Sequence, residues 1–329
     1  MSLRKVNQLR FSSAAALVAT NMLLVGAGIA SSEGESFPSP ERAAKALVSA
    51  AESHDVTNAL KILGPSAKEI LTTSDPVADS RIRAMFVRRA KEKMLVVPDP
   101  RRPSQRLLEI GNDKWPFPIP IVQTGGKWRF DVDQGKEQIL LRRIGNDELT
   151  AIDVCRGYVE AQNEYFDQDR TGGGVRQYAQ KFISSTGQRD GLFWQSTNPD
   201  DESPISEFVA QAVAEGYTKR GEPYRGYYFK ILKGQGPHAS GGALNYLEDG
   251  AMTHGFALIA WPSDYRSTGV MTFLVDRAGI VYQKDLGEKT AEIAAITTVY
   301  DPDQTWTPVS GSGVPPNGPV TRTTSRVFR

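Results

Sequence analysis

Residues 146–166 read NDELTAIDVCRGYVEAQNEYF, and residues 227–232, 255–261 and 270–275 read YYFKIL, GFALIAW and VMTFLV. In the first stretch Leu149, Ile152, Cys155, Val159 and Phe166 fall close to one stripe at the 3.6-residue period of an amphipathic helix. Asn146 is placed to cap it, so a helix over about 147–166 is expected. The other three stretches are short, apolar and rich in β-branched and aromatic residues, as strands are. A hairpin through Asp276-Arg277-Ala278-Gly279 joins residues 270–275 to 279–284. One long helix followed by sequential antiparallel strands is an α+β arrangement.

Working back from that helix, the first half shows the same order. Ser39-Pro40 has the residue types of an N-cap and first helical position, with Ala43, Leu47, Ala50 and Ala51 on one face. Asp55 caps a second helix that Gly64-Pro65 stops, and Ser66 with Glu69 fits a capping box for a third. Residues 94–97 and 106–110 read as strands. Residues 117–122 and 127–131 flank Gly125-Gly126 as a hairpin, since two glycines supply the positive φ of a tight turn. Gly135–Ile144 is expected to be helical and to close at Gly145. Helices leading into an antiparallel sheet resemble, by analogy of order alone, a cystatin-like or NTF2-like wrap.

The ends carry a different signal. Arg4, Lys5 and Arg10 precede residues 11–32, which hold no charge, and the apolar run ends in Gly28-Ile29-Ala30. This is the tripartite pattern of a cleavable secretory signal peptide over residues 1–30, too short and diluted for a spanning helix. The expected organisation is therefore a signal peptide (1–30), a polar linker (31–39), an N-terminal α+β domain (40–145) and a C-terminal helix-plus-sheet domain (146–306). A disordered tail (307–329) follows, rich in Gly, Pro, Ser and Thr and free of acids. Periplasmic or secreted localisation in a Gram-negative bacterium is implied, with no transmembrane anchor after cleavage.

Composition sets the outer bounds. A chain with 40% hydrophobic and 23% charged residues can build real cores. A net charge of +1 supplies no field for nucleic acid. Cys155 is the single cysteine, so no internal disulfide forms, and its helical spacing among apolar residues reads as a buried thiol.

Several segments together resemble one family: Trp115-Pro116-Phe117-Pro118-Ile119-Pro120, residues 142–149 (RRIGNDEL), Asp190-Gly191-Leu192-Phe193-Trp194, residues 223–229 (PYRGYYF), residues 269–273 (GVMTF) and Asp285-Leu286-Gly287. In these the chain resembles DUF2950, a family of exported bacterial proteins, over about Phe37–Trp306. The resemblance implies export and no named activity. The C-terminal half also looks like the globular part of pilin-like proteins in its helix, Gly-Tyr-x-Phe strand and hairpin. It departs from them in having the helix mid-chain and no prepilin cleavage signal.

Candidate chemistry is sparse. Asp167-x-Asp169-x-Thr171-Gly172 opens like a calcium loop, making Asp167 and Asp169 the candidate metal ligands. The twelfth position is Tyr178 where a bidentate acid belongs, which favours a polar turn. His54, His238 and His254 are the only histidines, and no pair has helical zinc spacing. His54 beside the Asp55 cap reads as a surface residue. His238, in a glycine-rich loop, and His254 near Asp249 are read as lining one ligand pocket. A Ser240–His254–Asp249 triad lacks the nucleophile elbow a hydrolase needs. Gly172–Gly174 and Gly241-Gly242 lack the phosphate-binding spacings. Tyr227 and Trp261 belong to an aromatic cluster on two strands expected to pair, one face core and the other offered to a glycan or partner protein. No catalytic residue and no cofactor is assigned. The reading is an exported binding or scaffolding protein of the cell envelope, with an envelope hydrolase using carboxylates (Asp190, Asp249) or histidines as the alternative.

Overall fold

A computed structural model describes residues 33–72, 76–196, 198, 201–206 and 223–310. Residues 1–32, with the expected signal segment, most of residues 205–216, whose sequence reads as a short helix, and the tail from residue 311 lie outside the described residues. The fold is α+β, as expected. Its first half opens with α1 (Pro40–Glu52), where the Ser39 side chain accepts from the Arg42 N–H, and Ala43, Ala44, Leu47 and Ala50 turn inward. Next comes α2 (Val56–Leu63), capped by Asp55 at Asn58 N and stopped by Gly64 at φ 97°. A 3-10 turn, α3 (Lys68–Leu71) and α4 (Pro76–Glu92) follow.

The first sheet comprises β1 (Met94–Asp99), β2 (Arg102–Ile110), β3 (Trp115–Pro116), β4 (Ile121–Thr124) and β5 (Lys127–Phe130). All pairings are antiparallel, in the order β1-β2-β4-β5, with β3 also on β2. Gly125 and Gly126 both take positive φ, the two-residue turn expected of that hairpin. Leu47, Ile62, Leu108, Ile110, Ile121 and Phe130 form its core. Residues 33–39, expected as a linker, are bound into this unit. Phe37 exchanges backbone hydrogen bonds with Trp128, and Glu33 pairs with Arg129 at 2.9 Å.

The largest departure from expectation is α5, which runs unbroken from Val132 to Phe166, 35 residues. The expected stop at Gly145 and fresh cap at Asn146 do not occur. A mid-helix glycine costs only about 1 kcal/mol relative to alanine, and packing on both sides outweighs it. Before Gly145, Arg142 donates to the Pro116 carbonyl at 2.7 Å and lies over the Trp115 ring at 5.2 Å. After it, Glu148 Oε1 accepts from Val270 N (2.9 Å) and Met271 N (3.0 Å). Arg143 reaches the Ser267 carbonyl. The expected boundary between domains thus falls inside one rod that both share.

The buried stripe of α5 is also rotated from the expected one. Ala151, Val154, Cys155, Tyr158, Ala161 and Tyr165 are buried, whereas Leu149 is 65% exposed. Cys155 is the buried thiol expected, its pKa pushed up to about 12 by burial. Beneath α5 lies a second antiparallel sheet, β6 (Tyr227–Leu232), β11 (Ala257–Pro262), β12 (Met271–Asp276), β13 (Tyr282–Asp285) and β14 (Thr307–Pro308), in spatial order β14-β13-β12-β11-β6. Between β6 and β11 come two short pairs: β7 (Gly234–Gln235) with β8 (Leu244–Asn245), and β9 (Leu247–Glu248) with β10 (Ala251–Met252). Residues 307 and 308, expected in the disordered tail, pair with Gln283 and Tyr282.

Register puts Tyr227, Phe229, Ala260 and Phe273 on one face of the second sheet, towards α5. Tyr228, Lys230 and Trp261 share the other. There Lys230 Nζ donates to the Ala294 and Ala295 carbonyls at the end of α6 (Thr290–Ile296). Coverage on both faces explains why β11 is apolar at every position and does not alternate.

Two glycine substitutions test this account. A Cβ on Gly145 would meet nothing within 4 Å, so Gly145→Ala should stabilise the protein by about 0.5–1 kcal/mol in denaturant unfolding. A Cβ on Gly269 would lie 2.1 Å from the Tyr227 hydroxyl oxygen. Gly269→Ala should therefore cost about 1–3 kcal/mol by overpacking the α5–sheet contact, read as a lowered Tm.

Candidate functional site

Residues 167–206 leave α5 and wrap its end without regular structure where described. Their course is held by short-range hydrogen bonds. The Asp190 carboxylate takes Ser185 N at 2.7 Å, Ser185 Oγ at 3.0 Å and Lys181 Nζ at 2.6 Å. Gly191 lets the chain pass residue 183, since a Cβ there would come within 2.6 Å of the Ile183 carbonyl carbon. Phe193 N and O then bond to Phe182 O and Ser184 N, so residues 182–184 and 193 run side by side. Trp194 is fixed through its backbone to the Ser203 hydroxyl and through its indole N–H to the Asp201 carbonyl.

These constraints enclose an open cleft of about 790 Å³. Ile183 and Phe193 give it an apolar wall. Thr171, Ser184, Ser185, Thr186, Gln188 and Gln195 give it hydroxyls and amides. Arg170 and Arg189 stand over the Trp194 ring at 5.2 and 5.9 Å. A smaller hollow of about 170 Å³ shares Thr171 and is lined by Tyr165, Gln177, Lys181, Asp190 and Lys233.

The carboxylates of this region are engaged structurally. Burial alone would raise the Asp190 pKa, but Lys181 and the Ser185 N–H and hydroxyl outweigh it and hold the group below the ordinary range. Asp201 pairs with Arg189. Asp169, one of the two candidate metal ligands, accepts from the N–H groups of Gly174, Gly172 and Thr171 and from the Thr171 hydroxyl. The Gly174 bond is the main cause of its lowered pKa. Asp169 therefore closes its own turn, and Asp167 is the C-cap residue of α5. Among the described residues no group of three or more His, Cys, Asp or Glu is placed to hold a metal ion.

The remaining sequence candidates fall into separate surroundings. Tyr227 is 0% exposed and its hydroxyl donates to the Met271 carbonyl at 2.8 Å, so it is core and has no surface for a ligand. Trp261 is half-buried beside Tyr228, with ring centroids 5.7 Å apart and Lys230 over its ring at 5.9 Å. Asp249 occupies the turn between β9 and β10 at φ 49°. His254 contacts Glu248 at 3.4 Å and the Asn245 carbonyl. His238 instead joins Asp301: its backbone N–H donates to Oδ1 at 2.8 Å, and Nδ1 lies 2.9 Å from Oδ2. Gly236 admits that carboxylate, since a Cβ there would lie 2.3 Å from its carbon.

Residues 34–309 match the family described as protein of unknown function (DUF2950). The chain belongs to the DUF2950 family. No curated protein and no solved structure matches it, so the pilin-like likeness of the C-terminal half rests on element order alone.

The segments by which the chain resembles DUF2950 sort into two places. Trp115, Arg142, Arg143, Glu148, Gly226, Gly269 and Met271 meet where α5 joins the two sheets. Asp190–Trp194 builds the cleft. Arg170, Ile183 and Arg189 were not singled out in the sequence. The signal that could have found them was the Asp190–Trp194 segment, a polar-to-aromatic turn outside any periodic element.

The His238–Asp301 pair gives a pH test. The hydrogen bond and the charge of Asp301 raise the His238 pKa above its ordinary 6.5. A group raised in the folded state stabilises fully below its unfolded value and loses that contribution as pH rises through the folded value. The stability gap between wild type and His238→Gln should be widest below pH 6.5 and close above it. NMR titration of His238 should give a midpoint above 6.5 that falls back in Asp301→Asn.

Proposed function

We propose that this DUF2950 protein is an exported binding protein of the bacterial cell envelope that holds a saccharide in the Phe193–Trp194 cleft. The single observation carrying this is the lining. An apolar wall (exposed Ile183, half-buried Phe193) faces a rim of hydroxyls, amides and guanidinium groups, the combination that receives the C–H face and the hydroxyls of a sugar. Asp190, Asp201 and Asp169 are committed to Lys181, Arg189 and backbone N–H groups, which speaks for binding over acid–base chemistry by them. Export is supported by the tripartite segment at residues 1–30. Among the described residues no helix is long and apolar enough to cross a membrane.

Soluble saccharide fragments of envelope polymers, titrated into the protein by calorimetry, should bind, and Phe193→Ala should weaken that binding about tenfold with its circular dichroism unchanged. No heat from any fragment at millimolar concentration would remove this reading.

The envelope-hydrolase alternative has one observation in its favour. His238 is more than half exposed and held through Nδ1 by a carboxylate, the arrangement that orients an imidazole for general-base work. Turnover of chromogenic esters and glycosides that His238→Ala abolishes would support it. Turnover equal in the two proteins would sink it.

A further inference from the structure

We infer that the cleft selects acidic saccharides, with Arg170 receiving the sugar carboxylate. The inference rests on the saccharide-binding reading above and adds the chemical class. Its basis is an imbalance in what lines the cleft. Arg170 and Arg189 both do, and among the described residues no carboxylate does. Asp201 is taken by Arg189, Asp190 by Lys181, and Asp169 by its own turn. Arg170 makes no ion pair among the described residues, and its Nε is buried there without a hydrogen-bond partner. Arg129 Nε is also buried without a partner, but Arg129 pairs with Glu33, whereas Arg170 has no such carboxylate among the described residues.

Its position is fixed. Arg170 Cζ stands 5.2 Å from the ring centroid of Trp194, which is itself held through Ser203 and Asp201. Cation–π contact with the ring restrains the guanidinium and reduces the entropy lost when it binds. A carboxylate entering the cleft would find that guanidinium already restrained and would pair with its terminal N–H groups. The apolar Ile183–Phe193 wall leaves the ring of the same sugar a surface to lie on. A uronic acid meets both demands at once: a ring with a C–H face and a carboxylate fixed to it.

The test compares a uronic-acid oligosaccharide with its carboxyl-reduced counterpart, which differs only in replacing the carboxylate by a hydroxymethyl group. Calorimetry on the full mature chain should show the acidic form binding about tenfold or more tighter, since a hydrogen bond to a charged group contributes about 1.5–3 kcal/mol. Arg170→Gln should erase that difference, the acidic form losing about tenfold or more affinity beyond whatever the neutral form loses. Arg170→Lys should restore part of it, as charge without the planar fork. Circular dichroism and Tm, unchanged in Arg170→Gln, separate lost recognition from lost folding. Equal affinity for the two forms, or a preference that persists in Arg170→Gln, would overturn the inference and leave saccharide binding standing. Binding of neither form, alongside binding of other envelope fragments, would also overturn it alone. Silence from every saccharide would take the binding reading as well.

Discussion

Glu148 is the contact on which the arrangement turns. Its carboxylate receives the N–H groups of Val270 and Met271 at the start of β12, from the middle of a helix whose first half packs on the other sheet. A helix of 35 residues is about 50 Å long at 1.5 Å per residue, so one rod can serve two cores. Gly135 packs against Ile119 in the first half, where a Cβ would stand 2.6 Å from that side chain. Tyr158 reaches the Ala257 carbonyl in the second. The fastenings from Arg142, Arg143 and Glu148 are side chain to backbone. They fix the sheets by direction as well as by burial.

That arrangement also sets the chemistry. The second sheet is covered by α5 on one face and α6 on the other, so its aromatic residues are consumed in packing. Tyr227 shows the consequence. Burial first, then the nearby Glu148 and Asp147 carboxylates, push its pKa up, so its hydroxyl stays a neutral donor to Met271. An open cleft lies where α5 ends and the chain turns irregular, around Trp194. Backbone there is held by side-chain oxygens of Asp190, Ser184 and Ser203 in place of a ladder. Such loops on a rigid scaffold are where binding residues concentrate.

How much was legible follows from which signals are local. Caps, glycine turns and short apolar strands depend on a few neighbouring residues, and Ser39, Asp55, Gly125-Gly126 and Tyr227–Leu232 all behaved as their residue types imply. The helix break at Gly145 did not, because its cost is small and the compensating contacts come from residues 116 and 267–271. The pocket expected from His238 and His254 was a matter of distance in space. The structure gave His238 a partner 63 residues away, Asp301, and left His254 with Glu248 and Asn245.

By itself the sequence determined the α+β class, the antiparallel hairpins, the buried state of Cys155 and membership in a family through its ordered segments. Each of these follows from local periodicity or from residues read in series. Tertiary structure alone decided that the two halves share one helix, that Tyr227 is core, that Asp169 serves its own turn, and that Arg170 and Arg189 stand over Trp194 at one cleft. Those outcomes depend on which charges meet across the fold. Pairing across the fold is set by packing geometry, which no stretch of sequence carries alone.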